Sequence, residues 1–151
     1  ISSKLKIESN DTGGSILKKF ESIYLMVINK TIEKIKNKNL NLKKQDNSRS
    51  SFFHARKPED GKINWDWQKE RIFNWVRALS YPYPGAFTFI GNKKIIIDKV
   101  ILDDFSFDQN MKNGLILSTN PIRIKTQNGV ILAKNIRNLD KNNFVKGEIL
   151  K

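Results

Sequence analysis

The 151-residue chain has no cysteine, which removes disulfides, thiolate zinc sites and cysteine nucleophiles from consideration. It has one histidine, His54, and a lone histidine is more often structural or solvated than catalytic. Acidic residues are scarce: 15 Asp and Glu stand against 28 Lys and Arg, a formal net charge of +13. No apolar run approaches the roughly 20 residues that cross a bilayer, and no secretory signal pattern is visible. No membrane association is expected, and the cytoplasm is the default location. The chain begins at Ile1 and not at Met, which leads us to expect a fragment of something longer.

The positive charge comes from 22 Lys and only six Arg, alongside 17 Asn. A basic chain invites a nucleic-acid reading. A general bias towards Lys, Asn and Ile explains the same numbers, because the lysines are spread along the chain and base-reading sites lean on Arg and exposed aromatics. A hydrophobic share of 38%, a quarter of it aromatic, supports a folded core.

Proline is sparse, with four in all, yet three of the four lie between 55 and 89 together with all three tryptophans and three arginines. This stretch reads as turn, helix, turn, strand. Pro58 sets φ in Lys57-Pro58-Glu59-Asp60-Gly61. Asp66 is expected to cap a helix over 67–80, with Ile72, Phe73, Val76 and Leu79 on its apolar face and Glu70, Asn74 and Arg77 on its polar face. Pro82, Pro84 and Gly85 end it, and 86–90 reads as a strand. The prolines on either side of Tyr83 make either a rigid corner packing aromatics into a core, or a shelf presenting Tyr83, Phe87 and the Asn74–Arg77 face to an anionic or planar ligand.

Upstream, 1–7 alternates weakly and suits a short strand, such as an edge strand. Asp11 or Thr12 is a natural N-cap for a long helix whose stripe includes Phe20, Tyr24, Val27 and Ile35 and which ends near 36–38. The Gly13-Gly14 turn fits no phosphate-binding glycine pattern, so a capped helix start is preferred over an anion site. The segment 37–51 is polar and reads as an exposed linker. Downstream, Gly91-Asn92 is a hairpin signal, followed by strands over 95–102, 115–118, 122–125 and 130–138, a polar loop over 103–114, and an end at 141–146 that suits a last short strand. Short strands with turns at roughly ten-residue spacing suggest a small barrel or sandwich.

The strings A-R-K-P-E-D-G-K-I-N-W, R-I-F-N-W-V-R-A-L and P-Y-P-G-A-F-T-F resemble the junction and C-terminal domain of the formyltetrahydrofolate-dependent formyltransferases. That family includes methionyl-tRNA formyltransferase and the enzymes that N-formylate amino sugars on nucleotide carriers. L-K-I-E-S-N-D-T-G-G-S-I-L-K-K-F is similar to the strand and last helix closing that family's N-terminal domain. The resemblance does not extend to the loop 103–114. It implies an α+β chain: the end of a Rossmann-like α/β catalytic domain (strand plus long helix) over 1–38, a linker over 39–51, and a C-terminal domain over 52–151 made of a helix and a small OB-like open β-barrel. It also implies that the catalytic Asn, His and Asp lie upstream. No catalytic role passes to any residue here, His54 included, no metal site is expected, and the chain alone should be inactive.

For the intact protein the resemblance implies transfer of formyl from 10-formyltetrahydrofolate, bound mainly by the upstream domain, to an amine. With a nucleotide-linked amino sugar as acceptor, Arg56, Lys57, Asp60, Asn74 and Arg77 are the candidate polar contacts, with Tyr83 or Phe87 for stacking. With Met-tRNA the basic barrel would track the tRNA backbone. The R-x-P-[ED]-D-type turn favours the sugar nucleotide. A stand-alone OB-like nucleic-acid-binding module is the reading from another class, and a homodimer is one possible assembly. For Arg56, Lys57, Asn74 and Arg77 a polar seam between domains is as good a reading as ligand contact, and Trp65, Trp67 and Trp75 read as core.

Overall fold

A computed structural model describes residues 1–138 and 144–151. It divides into two units: Ile1–Asp11 with Ser15–Arg56, and Thr12–Gly14 with Lys57–Lys151. Helix α1 spans Gly13–Lys36, its first two residues counted with the second unit and the rest with the first, as the apolar periodicity predicts. Asp11 organises its start. The Asp11 carboxylate accepts from the Glu8 backbone N–H at 2.7 Å, from Ser15 Oγ at 2.7 Å and from Lys19 Nζ at 2.6 Å, and Lys19 foremost among these holds its pKa down at about 2. None of the side chains of α1 is buried. Residues 1–7 form no strand, contrary to the alternation. A strand exists only by pairing, and among the described residues no sheet is offered to these. The linker is exposed, with one 3₁₀ turn at Asn47–Arg49.

The second unit is an α+β fold of one helix on a curled antiparallel sheet. The strands are β1 (Ala86–Ile90), β2 (Lys93–Asp103), β3 (Ile116–Thr119), β4 (Ile122–Thr126) and β5 (Gly129–Arg137), in the order β1-β2-β5-β4-β3. These match the expected strands to within two residues at each end. The glycine–asparagine turn closes the β1–β2 hairpin at Ile90↔Lys93, and Ala86↔Ile97 and Thr88↔Ile95 put buried side chains opposite one another. Helix α2 (Lys69–Leu79) packs mainly on β2 and buries Ile72 and Val76. Its apolar residues complete a core with Ile95, Ile97, Ile124 and Ile131.

The start of α2 differs from expectation. The helix begins at Lys69, and Asp66 does not cap it. Asp66 instead accepts from Asn113 Nδ2 at 2.8 Å, while its backbone N–H is taken by Asn64 Oδ1 at 2.9 Å. The cap arrives from the β4–β5 turn: Lys69 N–H donates to Asn128 Oδ1 at 2.7 Å, and Asn128 Nδ2 donates to Glu70 at 3.0 Å. This amide holds the Glu70 carboxyl below its usual range. Trp67 stays outside the helix, where it meets Trp75 edge-on at 5.1 Å and carries the Arg71 guanidinium over its ring at 4.1 Å.

The last residues lie between the two edges of the sheet. Ile116 N–H donates to Glu148 O at 2.9 Å and Leu150 N–H to Gly114 O at 3.0 Å on the β3 side. Phe89 and Lys151 exchange N–H···O bonds of 2.9 and 3.1 Å on the β1 side. Leu150 is buried. The strand expected over 141–146 falls largely outside the described residues; what is described shows pairing at 148–151 instead.

Candidate functional site

Of the residues singled out in the sequence, Arg56 belongs to the first unit and the others to the second. Lys57 and Asp60 sit on the 3₁₀ turn Pro58–Gly61. The Asp60 carboxylate accepts the Lys57 backbone N–H at 2.8 Å, so it shapes the turn and does not pair with the Lys57 ammonium. Trp75 Nε1 donates to Gly61 O at 3.3 Å, and Ile63 N–H to Phe87 O at 2.8 Å. Those bonds tie the turn to α2 and to β1, and so give the tryptophan of α2 a structural role.

On the exposed side of α2, Arg77 Nε donates to Asn74 Oδ1 at 2.8 Å, and its guanidinium lies 5.8 Å from the Phe73 ring. The i, i+3 spacing of Asn74 and Arg77 makes this contact. Ser80 Oγ donates to Arg77 O at 3.0 Å and Tyr83 N–H to Ser80 O at 3.2 Å, which turns the chain out of the helix. Tyr83 is 44% exposed, yet one side of its ring is engaged. A Cβ on Gly13 would stand 2.7 Å from it, and a Cβ on Gly14 2.5 Å from Tyr81 O. Glycine is needed at both positions for the chain to approach this corner.

Phe87 is a correction. It is only 5% exposed, edge-on to Phe89 at 5.7 Å and covered by Lys94 Nζ at 3.8 Å. Strand alternation turns it away from Ala86 and Thr88, but the opposite face of β1 is also covered, so no planar ligand can stack on it. Of the two aromatic candidates, Tyr83 alone keeps a solvent-facing ring.

Three features of the unit had no sequence signal. Arg137 pairs with Asp98 through Nε (2.6 Å) and Nη2 (2.8 Å), and Nη2 also donates to Pro84 O at 3.1 Å. The proline corner is therefore clamped to β2 and β5. Asn113 and Asp66 help line an open cavity of about 440 Å³, with Lys62, Asn64 and Trp65. Behind it Lys125 is 2% exposed, with Nζ bonded to Asn113 Oδ1 at 2.8 Å and to Thr126 O at 3.3 Å and lying 5.4 Å from the Phe107 ring. It has no carboxylate partner among the described residues. Alternation with the buried Ile122 and Ile124 puts position 125 on the outward side of β4 with Arg123, yet Lys125 is buried; its ammonium is accommodated because Asn113 comes from the loop before β3.

The asymmetry of buried polar groups makes Lys125 testable. Asn113→Ala leaves a buried ammonium short of its main acceptor and is expected to cost about 2 kcal/mol or more. Lys125→Met removes the charge and keeps the volume, so it is expected to change stability by less than about 1 kcal/mol or to raise it. Denaturant midpoints of the two variants against the parent check this; equal losses would contradict it.

Comparison with known proteins places this architecture. Residues 56–149 match the family described as formyl transferase, C-terminal domain. The chain is 34% identical over 159 residues to the bifunctional polymyxin resistance protein ArnA of Wigglesworthia glossinidia brevipalpis; the match takes in 97% of this chain and 23% of that protein. The chain thus spans about a quarter of that relative's length. Among solved structures, a multiply substituted variant of HypX from Aquifex aeolicus superposes with a TM-score of 0.52 at 15% identity, over 72% of this chain and 19% of that one. The last likeness concerns the fold alone, whereas the match to the family covers well over half the chain. The turn at Pro58–Gly61, helix α2, the proline corner and the curled sheet are the OB-like C-terminal domain of a formyltransferase, and the chain belongs to that family.

Proposed function

We propose that this chain is the acceptor-side part of a longer formyltransferase that moves formyl from 10-formyltetrahydrofolate to the amino group of a nucleotide-linked sugar. In such a reaction a neutral amine attacks the formyl carbon, donors hold the developing oxyanion and a base removes the proton. The acid–base groups are proposed to belong to the rest of the protein. Arg56, Lys57, Asp60, Asn74, Arg77 and Tyr83 are assigned to binding only. The observation that supports this most is the corner around the end of α2. Arg77 is oriented by Asn74 at 2.8 Å, Tyr83 follows on a clamped turn, and the Lys57–Asp60 turn is tied to the same helix. A cation and a half-exposed ring on one rigid support suit a phosphate joined to a planar base.

The test is binding. A UDP-linked amino sugar titrated into the chain should bind, and Arg77→Ala should weaken it about tenfold, the loss of one charge-assisted hydrogen bond. The chain alone should show no formyl transfer with 10-formyltetrahydrofolate and the sugar; turnover would refute the assignment of catalysis elsewhere. Tight binding of Met-tRNA with a steep salt dependence, and none of the sugar nucleotide, would hand the acceptor role to tRNA.

A further inference from the structure

We propose that Lys99 and Lys134, on the open surface of the sheet, form a second site that binds a phosphate oxyanion. Their register makes them direct cross-strand partners on β2 and β5. Directly opposed side chains have Cβ atoms about 5 Å apart, and like charges there are destabilising. Both residues are exposed, and neither has an ion pair, hydrogen bond or ring contact among the described residues. Three other basic residues of the sheet are committed. Lys94 covers Phe87, Arg137 is paired with Asp98, and Arg123 Nε is bonded to Asp103 at 2.8 Å with its guanidinium over Phe105. Asp98, next to Lys99 in sequence, points to the other face of the strand and is held there by Arg137.

A second observation falls at the same place. Asn135, adjacent to Lys134 and exposed, has φ of 50° within strand β5. Asparagine tolerates the left-handed region, and here it coincides with a gap in the β2–β5 ladder, where Ile97↔Ile136 and Lys99↔Lys134 pair but Asp98 and Asn135 do not; such irregularities are found beside functional sites. One row along the same face stand Ile101, exposed, and Leu132, half-buried, so no carboxylate lies beside the pair there. Two ammonium groups on flexible stems can close on one oxyanion, which relieves the repulsion between them. The shared chemistry is the phosphoryl oxygen, whether from a small phosphate ester or from a nucleic-acid backbone. The site does not depend on the acceptor assignment above.

The experiment uses the full chain with inorganic pyrophosphate and, separately, a short single-stranded oligonucleotide, followed by backbone amide NMR. Saturable shifts are expected at Lys99, Lys134 and Asn135. K99Q/K134Q should weaken binding at least about tenfold, while K43Q/K44Q, which lowers the net charge equally, should not. Response to pyrophosphate alone identifies a small ester as the source, and a stronger, steeply salt-dependent response to the oligonucleotide identifies a nucleic acid. Equal weakening in both double variants, or shifts elsewhere only, overturns the proposal. Lys134→Gln alone should raise the denaturant midpoint without anion, because it removes the opposed charge. A lowered midpoint contradicts the premise of an unpaired lysine pair and overturns the site with it.

Discussion

Deleting residues 148–151 is expected to destabilise the second unit by about 6 kcal/mol or more, enough to leave an ordinary domain mostly unfolded. Leu150 is 3% exposed, and losing a buried leucine costs about 2–5 kcal/mol. Four backbone hydrogen bonds go with it: those of Ile116 and Gly114 on one side and the two with Phe89 on the other. Thr88 Oγ1 also loses Lys151 O, its acceptor at 2.9 Å, while still receiving the Trp65 indole N–H at 3.0 Å. Each such bond is worth about 1 kcal/mol net. Both edges of the sheet would be bared at once, which favours association between chains. The measurement is urea unfolding of the truncated chain, with light scattering to follow association. The point variant Leu150→Ala should account for about half of the loss. A truncated chain as stable as the parent would mean that the terminal segment does not hold the sheet edges.

Gly85→Val is expected to cost about 3–5 kcal/mol, adding backbone strain to overlap in a packed site. Gly85 has φ of 96°, and a Cβ there would stand 2.4 Å from Ile96 Cγ2 and 2.6 Å from Arg137 Nη2. The second clash falls on the guanidinium that grips Pro84 O and Asp98. Relief would require either breaking that clamp or swinging the proline corner, and with it Tyr83, off the sheet. The variant should therefore lose thermal stability and, on the proposed acceptor reading, sugar-nucleotide affinity together. Arg137→Met separates the two effects, since it frees the clash while removing the clamp. A Gly85→Val chain with unchanged melting would show that the corner is not rigid. Gly91, at φ of 52° with nothing within 4 Å of an added Cβ, is the contrasting site, where only backbone strain is at stake.

Much of this fold was legible in the chain before folding because its signals are local. The 3.6-residue spacing of Ile72, Phe73, Val76 and Leu79 reports which side of α2 is buried, whatever it is buried against. Gly91-Asn92 closes a hairpin through its own backbone freedom. Pro58, Pro82 and Pro84 fix turns without outside help. The Trp- and Pro-rich string from 55 to 89 was specific enough to point to the family. Of the candidate site residues, Asn74 and Arg77 meet because helix geometry alone brings i and i+3 together. Asp60 bonds to the Lys57 backbone for the same short-range reason.

What failed were readings that depend on partners distant in sequence. Asp66 has the chemistry of a cap, but Asn128, 59 residues beyond Lys69, occupies that place, and Asp66 turns to Asn113. Phe87 looked like a platform because it follows the proline corner, read as a rigid shelf for a planar ligand. Only the register with β2 shows that Lys94 and the turn before α2 cover its ring. Residues 1–7 alternate as a strand does, but a strand is defined by a neighbour. Local sequence therefore determined the elements, the turns and the family to which they belong. Tertiary structure decided which polar side chain caps which helix, why a lysine can be buried at 125, how the proline corner is clamped, and that residues 148–151 join the edges of the sheet. Each of these rests on hydrogen bonds whose partners are chosen by the path of the backbone through space, and no short-range pattern in the sequence encodes that choice.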